Sequence, residues 1–219
     1  MRQAGFVGHV SPTTGRPADR LERAGFRTHR VLENVARGYD ARGIHRGLMG
    51  SPGHRAAILD QHVTTLGIGV VAEPEGGRSA FLVTELFVQE AALLGARALA
   101  AAPGRILEAH NAARGTRLLR ESSRLEALAA RAAARIFEEP TREVDAILDE
   151  TLNGGPSLAR ELASQQVIFV AVGSVEAAFA LTDVLTTSAT IVGIGVAQGN
   201  RPDQPPNSVA VVVLLGWPR

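Results

Sequence analysis

The 219-residue chain carries 23 Lys and Arg against 22 Asp and Glu, a net charge of +1. With its arginines scattered rather than gathered into an aromatic-studded stripe, that balance argues against nucleic acid as a partner. Apolar residues make up 45% and cysteine is absent, so the composition is globular and excludes disulfides and thiol chemistry. No apolar run reaches the roughly 18 residues of a membrane span. The opening MRQAGFVGHV lacks the apolar core of a signal peptide.

In chain order, SPTTGRP is an early turn, and PADRLERAGF reads as a short helix with Pro17 at its first position and Gly25 at its close. VLENVARG is a short, partly apolar element, and DARGIHRGLMG a weak helix. SPGHRAAIL reads as a better helix, with Ser51 as cap and Pro52 at its first position. TLGIGVVAE and AFLVTELFV are strands joined through EPEGGRS as an antiparallel hairpin. The glycines of the first strand leave one side bare, as for close packing or a shallow groove.

Residues 91–103 are rich in alanine and leucine and read as a helical linker interrupted at APG. A helix pair follows, GRILEAHNAARGTRLL and RESSRLEALAARAAARIF, in which Leu125, Leu128, Ala129 and Ala132 share one face. TREVDAILDETLNGG is a further amphipathic helix closed by Gly154 and Gly155. QQVIFVAVG reads as a strand, SVEAAFALTDVL as a helix, and TIVGIGVAQG and NSVAVVVLLG as a second strand pair. The polar loop NRPDQPPN crosses the surface between that last pair.

LGIGVVA at 66–72 matches VGIGVAQ at 192–198, each following a helix, which suggests an internal repeat. The expected organisation is a first domain over 1–90, a linker over 91–103 and a second domain over 104–219. GIGV lacks the further glycine and the strand-to-helix switch of a phosphate loop, so that reading is rejected.

GFVGHVSP, LENVARG, LMGSPGHRAAIL, LGIGVVAE and FLVTELF, taken together and in this order, resemble the CAP superfamily, the SCP-like or pathogenesis-related-1-like domains, in a short cysteine-free bacterial form. The second half resembles a divergent copy, with HNAAR in its first helix but without the histidine motif; His54 falls opposite Ala180. The resemblance implies an α+β fold, a three-layer α-β-α sandwich in two tandem copies, the first lacking its opening helix. It also implies an extracellular or periplasmic location.

The resemblance implies a cleft in which His9 matches the histidine before Ser-Pro, Glu33 the glutamate of ENVA, and His54 the histidine of SPGHR. The family's second acid does not carry over, because its position holds Ser51. Two imidazoles and a carboxylate suit a divalent ion, Zn²⁺ above all, or a plain hydrogen-bonded cluster. Glu85, an acid inside an apolar strand, lies on the face opposite Thr84 and Leu86 and is a candidate further carboxylate. His110 reads as structural. Two functions stay open. One is a non-enzymatic or weakly metal-binding module of the bacterial cell exterior that binds an envelope, lipid-like or protein ligand. The other is a metal-assisted hydrolase of peptides or cell-wall material using His9, Glu33 and His54. A bare first sheet would be covered by packing between the halves or in a homodimer.

Overall fold

The structure is a computed structural model that describes residues 8–153 and 161–219. The chain is α+β and divides into two compact units, Met1–Glu90 and Ala91–Arg219. Among the described residues no helix is long and apolar enough to cross a membrane.

In the first unit, helix α1 (Pro17–Arg23) precedes strand β1 (Val31–Gly38), helices α2 (Ala41–Gly50) and α3 (Pro52–Ile58), and strands β2 (Thr65–Glu75) and β3 (Arg78–Val88). The sheet runs β1-β3-β2, with both pairings antiparallel. The β2–β3 turn places Gly76 and Gly77 at φ +53° and +83°. Positive φ at both central residues is the hairpin geometry that matches strand twist, and glycine adopts it without a Cβ clash. Register decides the faces: Glu33 stands opposite Leu86, and Asn34 opposite Glu85. On the Asn34 side, Ile44 and Leu48 of α2 pack on Val83 with Ala36 and Phe81. On the Glu33 side lies α1, held by Arg20. The short apolar element expected at VLENVARG is therefore a full strand, and the weak helix at 41–50 is formed, with Asp40 accepting from the Gly43 N–H at 2.7 Å.

The second unit comprises α4 (Ala96–Arg114), β4 (Arg120–Glu121), α5 (Ser123–Glu138), α6 (Val144–Asn153), β5 (Leu162–Val172), α7 (Thr182–Thr186), β6 (Ile191–Gly199) and β7 (Ser208–Pro218). Its sheet runs β4-β6-β7-β5. Strand β7 is buried on both faces, and its alternation splits the core into two layers. Val209, Val211, Val213 and Leu215 join Ala102 and Ile106 of α4. Ala210, Val212 and Leu214 join Leu125, Ala129, Ala132 and Ile136 of α5. The helix pair and the final strand pair thus stand where the sequence places them. The closing glycines Gly154 and Gly155, and the GFV of GFVGHVSP, lie outside the described residues.

Four readings change. The stretch 96–103 is not linker: α4 continues through Pro103, because Ala102 and Ile106 are fully buried and their packing outweighs the missing N–H. SVEAAFALTDVL is not one helix but a 3₁₀ turn (Val175–Ala178) followed by α7. The Leu181 N–H between them is taken by Nε2 of buried His110 at 3.3 Å instead of by a helical carbonyl. Strand β4, parallel to β6, is two residues long, too short to leave a periodic signal. In the proline-rich loop, Arg201 is buried rather than solvated; it donates to the carbonyls of Ile136 at 2.7 Å and Arg142 at 2.8 Å and so satisfies the end of α5.

Candidate functional site

Strand alternation turns Glu33 toward α1, on the sheet face that also carries Leu86 and Thr84. Its side chain is only 2% exposed, so its charge needs partners. It has two. Arg20 of α1 donates through Nη2 to Glu33 Oε1, and Nδ1 of His9 lies 3.1 Å from Glu33 Oε2. Arg20 also donates through Nη1 to the carbonyls of His9 at 3.2 Å and Gly15 at 3.0 Å. One guanidinium therefore fixes both the carboxylate and the segment that carries the histidine. Between them, the Ser11 hydroxyl accepts from the Thr14 N–H at 3.1 Å, closing the turn that the sequence marks with Ser-Pro. The result is a small recess of about 110 Å³ lined by Gly8, Ser11, Thr14, Arg20, Glu33, Thr84 and Leu86. The His9 ring stands at its rim, with its side chain 54% exposed.

His54 belongs to the other side of the sheet. It sits in the first turn of α3, where Ser51 holds the cap position without a side-chain capping bond and Pro52 opens the helix. Its backbone carbonyl accepts from Asn34 Nδ2 at 3.2 Å, and the same amide donates to Glu85 Oε2 at 3.1 Å. Asn34 is almost fully buried, so this amide ties α3 to β3 across β1. His54 faces an open cleft of about 480 Å³ beside Ala36, Ile44 and Leu48. The three residues expected to converge thus divide: His9 meets Glu33, and His54 stands with Asn34 and Glu85. The reason is the period of two along β1, which sends neighbouring Glu33 and Asn34 to opposite faces. Glu85 is on the face the sequence gives it, away from Glu33. Among the described residues no group of three or more His, Cys, Asp or Glu could hold a metal ion.

Two contributors were missed in the sequence, Arg20 and Asn34. Arg20 had a signal: a basic residue on a short helix just before a strand whose inward position is acidic. Asn34 had none beyond being polar on an apolar strand face. In the second unit, His110 is buried in α4 with its pKa lowered by burial. It serves the 3₁₀ turn, as a structural histidine would.

The fold and site define an α+β protein whose first unit carries a buried, fully paired carboxylate under an exposed histidine. No family model matches the chain. It is similar to the uncharacterized membrane protein YlbC of Bacillus subtilis, 37% identical over 71 residues that make up 32% of this chain and 20% of that protein. It is also similar to the uncharacterized protein YkwD of the same organism, 33% identical over 72 residues, 32% of this chain and 28% of YkwD. A crystal structure of an extracellular protein containing a SCP domain from Bacillus anthracis aligns over 41% of this chain and 28% of its own, at 30% identity and a TM-score of 0.36. The matches span under a third of the length of each of these proteins.

Proposed function

We propose that the first unit is a CAP-superfamily, SCP-like module that works by binding at the bacterial cell exterior, and that the second unit is a diverged copy of it. The observation that carries the functional reading is the state of Glu33: one oxygen is held by Arg20 and the other by His9. Both carboxylate oxygens are already engaged, and a divalent cation placed there would face the Arg20 charge at close range. The group acts as an anchor that holds the His9 segment over the sheet, and the exposed imidazole is left to meet a ligand. The ligand class implied by the resemblance is an envelope component, a lipid-like molecule or a protein. The exterior location rests on the same resemblance.

Support for the copy reading comes from three sources. LGIGVVA recurs as VGIGVAQ. The strand orders β1-β3-β2 and β5-β7-β6 agree, and every pairing in both is antiparallel.

Calorimetric titration with zinc tests the functional reading. The expected result is no stoichiometric binding to the full chain, with weak binding appearing in Arg20→Leu once the competing cation is gone. Tight zinc that disappears in both His9→Ala and His54→Ala, together with release of fragments from cell-wall sacculi, would establish the metal-assisted hydrolase instead.

A further inference from the structure

Helices α2 and α3 carry charge of one sign. From 41 to 59 the sequence holds Arg42, His45, Arg46, His54 and Arg55, and no Asp or Glu. The whole chain is only +1, so the rest of it is net negative and this stretch is a local exception. Helix phase gathers the charge on one side. Ile44 and Leu48 form the buried side of α2 and pack on Val83 of the sheet. Arg42 and Arg46, one turn apart, lie on the opposite side of the helix and are exposed. In α3, Ala57 is buried and Arg55, two residues before it, is exposed. The outward side follows from helix phase and from packing on the sheet, and does not depend on what lies against β2.

Elsewhere in the unit arginines are engaged: Arg20 holds Glu33, Arg30 holds Asp60 and Arg37 holds Glu75. Arg42, Arg46 and Arg55 have no hydrogen bond or ion pair among the described residues. The acids that bound the stretch are occupied, Asp40 by the Gly43 N–H and Asp60 by Arg30. Three planar guanidinium forks are therefore left facing solvent, in a geometry that pairs two donors with two phosphate oxygens. Two kinds of phosphate partner fit this face poorly. A bilayer surface calls for an apolar wedge beside the charges, and Leu59 is the one large exposed apolar side chain from 41 to 59. A single-stranded nucleic acid calls for aromatic platforms, and the stretch contains no aromatic residue.

We propose that the outward side of α2 and α3 binds a linear phosphodiester polymer that carries no bases, through Arg42, Arg46 and Arg55. Regularly spaced phosphates need neither a wedge nor a stacking platform, only spaced cations. Each exposed contact is weak alone, and contacts along one chain add as the polymer's counterions are released. The proposal rests on the reading of the first unit as a binding module, but it uses neither His9 nor Glu33.

The test titrates the full chain against end-labelled, soluble poly(glycerol phosphate) at several salt concentrations. The expected result is saturable binding with a Kd of about 10 μM at low salt, and a slope of log affinity against log salt of about −2 for three phosphate contacts. Arg42→Gln/Arg46→Gln/Arg55→Gln should weaken binding at least about tenfold and flatten the slope toward zero. Arg97→Gln/Arg117→Gln/Arg131→Gln removes the same charge from exposed positions of the second unit and should bind as the unaltered chain does. Thermal unfolding should be unchanged in both variants, since every altered side chain is exposed. Three outcomes would overturn the proposal: no saturable binding to the polymer, equal weakening in the two variants, or binding to phosphatidylglycerol vesicles without binding to the soluble polymer. The last would assign the face to a membrane surface. None of the three changes the zinc result expected for the Glu33 site, so the two readings fail separately.

Discussion

Two strands of nearly the same sequence, LGIGVVA in β2 and VGIGVAQ in β6, have opposite fates. In β6 the pattern is core: branched residues are buried on one side and glycines are pressed against a helix on the other. In β2 the same pattern is surface. The difference teaches that a glycine in a strand carries no fixed energetic meaning; what lies above it decides whether a side chain there would be harmful or helpful.

The sharpest way to break that comparison is to add one methyl group to each strand. Gly195→Ala places a Cβ against helix backbone that can yield only by moving α5 off the sheet. The expected loss is about 3 kcal/mol, at the upper end for overpacking. Gly69→Ala meets open space, and its φ lies outside the left-handed region. It should be neutral or stabilise the chain by up to ~1 kcal/mol through the unfolded state. Denaturant unfolding of the two variants reads both, and equal losses would contradict the account.

Truncation of the branched residues sharpens the same contrast. Ile194→Ala removes packed volume between α4 and the sheet and should cost about 3 kcal/mol. Ile68→Ala, at an exposed site, should change stability by less than about 0.5 kcal/mol.

Two arginines, one inside each unit, allow a third comparison. Arg114 is buried, its pKa lowered by desolvation, and it donates to the carbonyls of Arg117 at 2.8 Å, Val184 at 2.6 Å and Thr187 at 3.0 Å. Arg114→Leu orphans those acceptors and should cost roughly 2–3 kcal/mol. Arg20 is one-quarter exposed, so the loss in Arg20→Leu is discounted by solvent to about 1–2 kcal/mol. Its clearer sign should be released order in the His9 segment, read as faster amide exchange around Ser11–Gly15.

Most of the fold was legible where periodicity is long. The buried run of β7, the face shared by Leu125, Ala129 and Ala132, and the two hairpins all follow from spacing. What was not legible depended on single contacts. Nothing local says that Leu181 gives its N–H to His110, that Arg201 leaves its polar loop to cap α5, or that Pro103 is tolerated because its neighbours are buried. The site divides in the same way. The sequence grouped His9 with Glu33, and the two side chains meet in the structure. It grouped His54 with them because order along a chain does not record which side of a pleated strand each residue occupies.

The smallest expected effect is electrostatic. The Arg135 guanidinium, bonded to Glu139 at 2.6 Å with Arg142 on the other oxygen at 2.7 Å, lowers that carboxyl from 4.5 to about 2. The folded state therefore binds fewer protons than the unfolded state between those values. The contribution is complete above about pH 4.5 and is lost as pH falls through about 2. Glu139 lies at the protein surface where solvent screens its ion pairs, so the effect on stability is slight, and the measurement is the carboxyl carbon's NMR titration. Its midpoint should lie near 2 and move toward 4.5 in Arg135→Gln.

The contrast between β2 and β6 is tested most directly by adding a soluble paramagnetic chelate to the full chain and following the glycine α-protons. Strong relaxation enhancement at Gly67 and Gly69, with little at Gly193 and Gly195, is the predicted result. Protection of all four alike would contradict it, because something would then cover β2 as α5 covers β6.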